Sequence, residues 1–269
     1  MKKRIISVCV FLSVTAVFML LGRFTRLAFA VICAAICCHD LCHALSTGSD
    51  RHVTPWTGWC FIAVSAVLIW FAFPVSPMLV AIVFTFCALG VSVFTPHFRP
   101  SEMLLSLGVC VYPVSLVMTI GYILCLDGPY WYVTALTGAA SAAICDTFAL
   151  FGGMRFGKHR LAPRVSPKKT VEGSVCGLLS AVVTGVILYF AFSKTGVDIP
   201  LWGYIVVSAV SSTLGQMGDL IASSFKREAG IKDYSNLIPG HGGMLDRLDS
   251  HMFAIPAAYF MMVVLGHIA

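Results

Sequence analysis

Apolar stretches of about twenty residues, separated by short polar segments, recur along the whole chain. Candidates run near 4–22, 27–45, 57–73, 77–95, 103–126, 131–152, 174–193, 201–222 and 251–268. A helix needs about 20 apolar residues to cross a hydrocarbon core. The pattern therefore predicts an all-α, polytopic integral membrane protein with about nine transmembrane helices. The start, "MKKRIISVCVFLSVTAVFMLLGRF", resembles a cleavable leader, with "AFA" at 28–30 as a cleavage site. Arg23 and Arg26 separate the apolar run from that site, so an uncleaved first span is expected. Two longer polar segments interrupt the rhythm, 153–173 and 223–250.

Composition agrees with the pattern. Hydrophobic residues make up 58% of the chain and charged residues only 11%, against about 25% in a soluble globule. The mean hydropathy is +0.90. The eleven cysteines lie mostly in apolar runs, where cysteine behaves as a small hydrophobe, so no disulfide framework follows. The net charge of +6 matters for where it falls. With the N-terminus inside, the inner segments hold fifteen basic residues, and the outer ones only Arg23, Arg26 and Lys194. The positive-inside rule then puts the N-terminus in the cytoplasm, and the short length suggests a bacterial inner membrane.

Carboxylates change the picture further. Residues 140–250 carry eight of the twelve acidic side chains. That imbalance divides the chain into an N-terminal scaffold, 1–126, and a working region, 127–269, which includes both polar segments. Asp146 sits roughly 9 Å inside the sixth span at 1.5 Å per residue, Asp219 at similar depth in the eighth, and Asp246 and Asp249 open the ninth. An ionisable residue in a span is costly and marks a functional site by default. Asp246 and Asp249, spaced i and i+3, are expected on one face of a helix. Clustered oxygen ligands suit Mg²⁺, which takes one or two carboxylates together with substrate phosphates, and a second cation is possible.

The polar segments supply the opposite charge. In "SSFKREAGIKDYSNLIPGHGGMLDRLDS", the glycines Gly240, Gly242 and Gly243 precede a helix start and form a candidate phosphate nest, with Lys226, Arg227, Lys232 and Arg247 nearby. In "GGMRFGKHRLAPRVSPKKTVEG", Ser166 and Pro167 read as an N-cap and first helical residue. Lys168 and Lys169 would then sit in the first turn, where a bound phosphate would offset their poor fit to the helix dipole. Neither a GxxxxGK[ST] loop nor a GxGxxG loop is present. The run "CAAICCHDLCH" at 33–43 pairs Cys38 with Cys42 and His39 with His43 at i and i+4, which could suit zinc. Helix packing by small residues is the preferred reading.

Residues 223–249 resemble the signature of the phosphatidate cytidylyltransferases, also called CDP-diacylglycerol synthases. The matching positions are Ser223, Lys226-Arg227, Lys232-Asp233, His241-Gly242-Gly243, Asp246-Arg247 and Asp249. The "SPKKTVEG" segment and the Asp146-Thr147 pair also look like that family, so the resemblance covers about residues 140–250. It implies transfer of a cytidylyl group from CTP to phosphatidic acid, giving CDP-diacylglycerol and pyrophosphate. Asp219, Asp246 and Asp249 would hold metal. Lys226, Arg227, Lys232 and Arg247 would neutralise phosphates, and His241 would orient one or assist the leaving pyrophosphate. Asp146, Ser166, Lys168, Lys169, Thr170, Ser223, Asp233, Gly242 and Gly243 would complete the substrate side. The partners implied are CTP, phosphatidic acid and the bilayer, with no nucleic acid; a homodimer is left open. Competing readings are a CTP-dependent lipid kinase of the dolichol kinase type and a transporter with an intramembrane cation site. The DG…AR…G…D…D pattern of CDP-alcohol phosphotransferases is absent.

Overall fold

The computed structural model describes residues 10, 13–47, 53, 55–71, 80, 83–85, 100–235, 237 and 242–267. These are mostly helical. The helices are α1 (Arg23–Ser46), α2 (Trp56–Trp70), α3 (Pro100–Val109), α4 (Ser115–Leu124), α5 (Tyr130–Phe156), α6 (Val171–Phe192), α7 (Leu201–Glu228), α8 (Leu245–Leu248) and α9 (His251–Val264). A two-stranded antiparallel hairpin, β1 (Arg160–Ala162) and β2 (Ser166–Thr170), lies between α5 and α6.

Five helices are long and apolar enough to cross a membrane: Arg23–Ser46, Glu102–Leu124, Tyr130–Phe156, Val171–Phe192 and Leu201–Glu228. They correspond to the stretches predicted at 27–45, 103–126, 131–152, 174–193 and 201–222. The stretches at 57–73 and 251–268 become α2, with 15 residues, and α9, with 14. In the stretch at 4–22, residues 13–20 are helical, whereas most of the stretch at 77–95 lies outside the described residues. The run at 103–126 is broken by a π turn at Cys110–Val114, where Tyr112 takes extended backbone before Pro113. Proline lacks the N–H that would continue the ladder, and its ring crowds the preceding turn.

The chain divides into two compact units, Met1–Cys125 with Phe225–Arg247, and Leu126–Ser224 with Leu248–Ala269. The segment Phe225–Arg247, placed with the C-terminal half from sequence, therefore groups with the N-terminal residues. In the first unit, small residues let helices approach closely, as expected where lipid tails supply no hydrophobic drive. A Cβ on Gly121 of α4 would lie 2.8 Å from the Cβ of Ala30 in α1, and Gly58 of α2 packs directly on Cys38. The ring of Tyr112 stacks on Phe225 with centroids 5.3 Å apart.

The run at 33–43 also resolves into packing. Cys33, Cys37, Cys38 and Cys42 are buried, whereas His39 and His43 are exposed and stack on each other. Thiols and imidazoles thus occupy different stripes of α1. The described residues contain no group of three His, Cys, Asp or Glu side chains able to hold a metal ion.

The second unit packs α5, α6, α7 and α9 by the same device. A Cβ on Gly138 would lie 2.6 Å from the Ile255 Cα, one on Gly177 2.8 Å from the Cys145 carbonyl, and one on Gly185 2.7 Å from the Tyr204 carbonyl. A core of Val133, Val197, Ile199, Tyr204, Val207, Ala258 and Met262 closes one end.

Two local expectations are corrected. Ser166 and Pro167 do not start a helix: Ser166–Thr170 is strand β2, and α6 begins at Val171. The cap is Thr170, whose hydroxyl oxygen accepts the Gly173 N–H at 3.1 Å. Proline at the second residue of a short edge strand removes no needed donor, and Thr170 satisfies the helix start that Ser166 was expected to serve. Lys168 and Lys169 are accordingly strand residues. Asp246 and Asp249 also do not share one helix. Asp246 lies in α8, while Asp249 and Ser250 form a turn before α9. The Asp249 carboxylate accepts the Ser250 N–H at 2.8 Å and so supports that turn.

Candidate active site

In the second unit, a cavity of about 720 Å³ is lined by residues of α5, the β hairpin, α6 and α7. Asp146 and Asp219 face it together with Lys158, Arg160, Lys168 and Lys169. The hairpin makes this possible, because it turns the basic segment back over the end of α5. Glu172, in the first turn of α6, holds the hairpin's entry. Its carboxylate accepts the backbone N–H of Lys158 at 3.0 Å and of His159 at 3.2 Å, and pairs with His159 Nδ1 at 2.6 Å.

Both cavity carboxylates are held in place. Asp219 Oδ2 pairs with Lys169 Nζ at 2.5 Å, and Asp219 Oδ1 accepts the Ser223 hydroxyl at 3.3 Å. Asp146 Oδ2 accepts the Ser250 hydroxyl at 3.0 Å. Behind them, Gln216 ties three helices together. Its Oε1 accepts the Ser174 hydroxyl of α6, and its Nε2 donates to Cys145 Sγ of α5 at 3.1 Å. Gln216 and Ser174 also line the cavity.

The signature loop belongs to the first unit, and it is organised around Asp246, which is 8% exposed. Asp246 Oδ1 accepts Lys226 Nζ at 2.8 Å. Its Oδ2 accepts the backbone N–H groups of Tyr234 at 2.8 Å and Gly243 at 2.9 Å. The Gly243 amide, expected from sequence in a phosphate nest, thus points at a carboxylate of the same loop. Gly242 has φ +82 and a Cβ added there would lie 2.8 Å from Asp246 Oδ2, so a side chain would be both strained and obstructed. Lys226 also lies over the Tyr234 ring, 5.5 Å from its centroid.

Among the residues singled out from sequence, the cavity gathers Asp146, Lys168, Lys169, Thr170 and Asp219, with Ser223 bonded to Asp219. Ser166 pairs with Ala162 at the far end of the hairpin and does not line it. Asp249 closes the turn that presents Ser250 to Asp146. Lys226, Arg227, Lys232, Asp233, Gly242, Gly243, Asp246 and Arg247 fall in the first unit. Arg227, Lys232, Asp233 and Arg247 are exposed. His241 lies outside the described residues. Sequence reasoning missed Gln216, Ser174, Ser250 and Asp40. Asp40 carried a usable signal, being a carboxylate inside an apolar run.

Each unit holds a hard oxygen donor of the kind Mg²⁺ takes: Asp219, paired with Lys169, in the second, and Asp246, paired with Lys226, in the first.

The cavity of this helical chain thus sets two carboxylates among four cationic side chains. The chain belongs to the Cytidylyltransferase family, whose profile matches residues 2–265. It is similar to the phosphatidate cytidylyltransferase of Haemophilus influenzae, 45% identical over 136 residues, or 50% of this chain and 46% of that protein. The phosphatidate cytidylyltransferase of Staphylococcus saprophyticus is 40% identical over 120 residues, 45% of each chain. That of Staphylococcus aureus strain COL is 42% identical over 121 residues, again 45% of each. The matches span about half the length of these curated relatives.

Proposed function

We propose that this protein transfers the cytidylyl group of CTP to phosphatidic acid, releasing pyrophosphate and leaving CDP-diacylglycerol in the membrane. The observation that carries the reading is the cavity in which Lys158, Arg160, Lys168 and Lys169 face Asp146 and Asp219. Family membership and the similarity to phosphatidate cytidylyltransferases support it.

In the reaction, a phosphate oxygen of phosphatidic acid attacks the α-phosphorus of CTP. A new P–O–P linkage forms, and the bond from the α-phosphorus to the bridging oxygen of the β-phosphate breaks. The attacking oxygen is already anionic, so no general base is needed. The protein's task is to bring two polyanions together and to stabilise charge as it moves onto pyrophosphate. Lys158, Arg160, Lys168 and Lys169 would receive the triphosphate. Asp219 in the second unit and Asp246 in the first would each offer a carboxylate to Mg²⁺, which when bound would neutralise phosphate oxygens. For that, Lys169 and Lys226 would exchange their carboxylate partners for phosphate. Arg227, Lys232 and Arg247, on the exposed side of the signature loop, would meet the lipid phosphate. We further propose nine spans, a cytoplasmic N-terminus and a cytoplasmic active site in the inner membrane, on the strength of the basic-residue asymmetry.

The test is purified protein with phosphatidic acid and CTP labelled either in the base or in the γ-phosphate. Base label in the lipid product supports cytidylyl transfer. Label from the γ-phosphate instead would mean a CTP-dependent lipid kinase, and no CTP-dependent product would defeat both.

A further inference from the structure

Asp40 sits in α1, 205 positions before the residue it bonds. It is 3% exposed. A carboxylate buried in an apolar helix is destabilising unless donors compensate. Its Oδ2 accepts the backbone N–H of Leu245, the first residue of α8, at 3.4 Å. The same oxygen presses on the loop, because a Cβ on Gly243 would lie 2.6 Å from it and 2.7 Å from the Ser235 hydroxyl. On the other side, a Cβ on Gly242 would lie 2.8 Å from Asp246 Oδ2. The two glycines therefore run between two carboxylates, Asp40 behind and Asp246 ahead, with only glycine small enough at both places.

We propose that Asp40 is a positioning residue for the signature loop. From α1 it fixes Gly243 and the first turn of α8, and through them the pose of Asp246 and Arg247. The N-terminal residues are then part of the working site and more than a membrane scaffold. This inference rests on reading the loop as part of the cytidylyl-transfer site, and its test has an arm that needs no activity.

Asp40→Leu keeps an apolar side chain of similar size and removes the acceptor, whereas Asp40→Asn keeps an acceptor oxygen. Hydrogen exchange would be followed by mass spectrometry on the full chain in detergent micelles, beside cytidylyl transfer. In Asp40→Leu, exchange across 242–248 should rise and turnover should fall, each by about tenfold or more, with α6 exchange unchanged. Asp40→Asn should restore both to within about threefold of the parent. Parental exchange and turnover in Asp40→Leu would overturn the proposal, as would an asparagine variant as defective as leucine. If Asp40→Leu does not fold, Gly243→Ala tests the same contact. Its Cβ should loosen 242–248, and adding Asp40→Ala should relieve part of that defect; no relief would overturn the proposal. A parent that makes no CDP-diacylglycerol would defeat the functional reading, while the exchange data would still decide the role of Asp40.

Discussion

Asp246→Asn should loosen the signature loop by an amount that follows from the contacts of its carboxylate. One oxygen accepts the Lys226 ammonium and the other accepts two backbone N–H groups. The Lys226 and Asp246 side chains are 11% and 4% exposed, so solvent screens the pair little. Asparagine replaces one oxygen with an NH₂ donor. In one rotamer that group faces the ammonium, and in the other it faces the amides of Tyr234 and Gly243, so donors oppose donors either way. Removing one partner of a buried ion pair costs about 3–5 kcal/mol, and the weakened amide bonds are part of that sum. At about 1.4 kcal/mol per decade, the range corresponds to roughly 150-fold to 5,000-fold faster local exchange. Hydrogen exchange read on peptides covering 229–248 provides the assay, with α6 as internal control. Lys226→Met should produce a defect of similar size. The double variant should fall well short of the sum, since the second change removes a charge already left alone. Parental exchange in Asp246→Asn, or strict additivity in the double variant, would refute this account of the loop.

Other outcomes are expected at the remaining charged residues. Asp219→Asn should reduce cytidylyl transfer by more than about a hundredfold and weaken Mn²⁺ binding measured by EPR, because a neutral amide is a poor ligand for a hard cation; parental metal affinity would exclude Asp219 as a ligand. Arg247→Lys should lower kcat/KM by about one to three decades, or about 1.4–4 kcal/mol, if the guanidinium grips a phosphate with two bonds. Unchanged constants for both substrates would leave Arg247 a counter-charge. Single cysteines at the exposed positions Lys158 and Glu228, in a background lacking the eleven native cysteines, should react with an impermeant thiol reagent in inverted vesicles only. Labelling in intact cells would reverse the proposed topology.

Helical membrane character was legible because apolar runs are long and nothing in water competes for them. Their interruptions were less so. Pro113 lay inside an otherwise continuous apolar run, and hydropathy does not register the lost N–H that breaks α3 from α4. At Ser166-Pro167 the capping signal was real in kind but four residues early, since Thr170 and Glu172 supply the helix start. Candidate chemistry was legible where charge contradicts hydropathy, as at Asp146 and Asp219. Asp40 obeys the same rule, but its neighbouring cysteines and histidines suggested a zinc pattern and drew attention from the carboxylate. Gln216 could not be recognised, because an uncharged amide in a span gains meaning only once Ser174 and Cys145 are seen against it.

The charges of the cavity bear on the choice among readings. Lys158, Arg160, Lys168 and Lys169 face Asp146 and Asp219, leaving an excess of two positive charges before any ligand enters. A site built to carry a bare cation across a bilayer would need the opposite balance, since each lysine repels the cargo and Lys169 already occupies Asp219. A triphosphate, with about four negative charges, brings more than that net excess can offset. A divalent ion would neutralise the surplus, and phosphate would displace Lys169 from Asp219 in the proposed reaction. On the proposed reading charge balance would couple the two events: phosphate would draw Lys169 away, and the freed carboxylate would take the metal. On this reasoning Mg²⁺ and CTP should bind cooperatively, and Lys169→Met should bind Mn²⁺ better than the parent without CTP but gain less when CTP is added. Equal enhancement by CTP in parent and variant would break the link between the ion pair and the nucleotide.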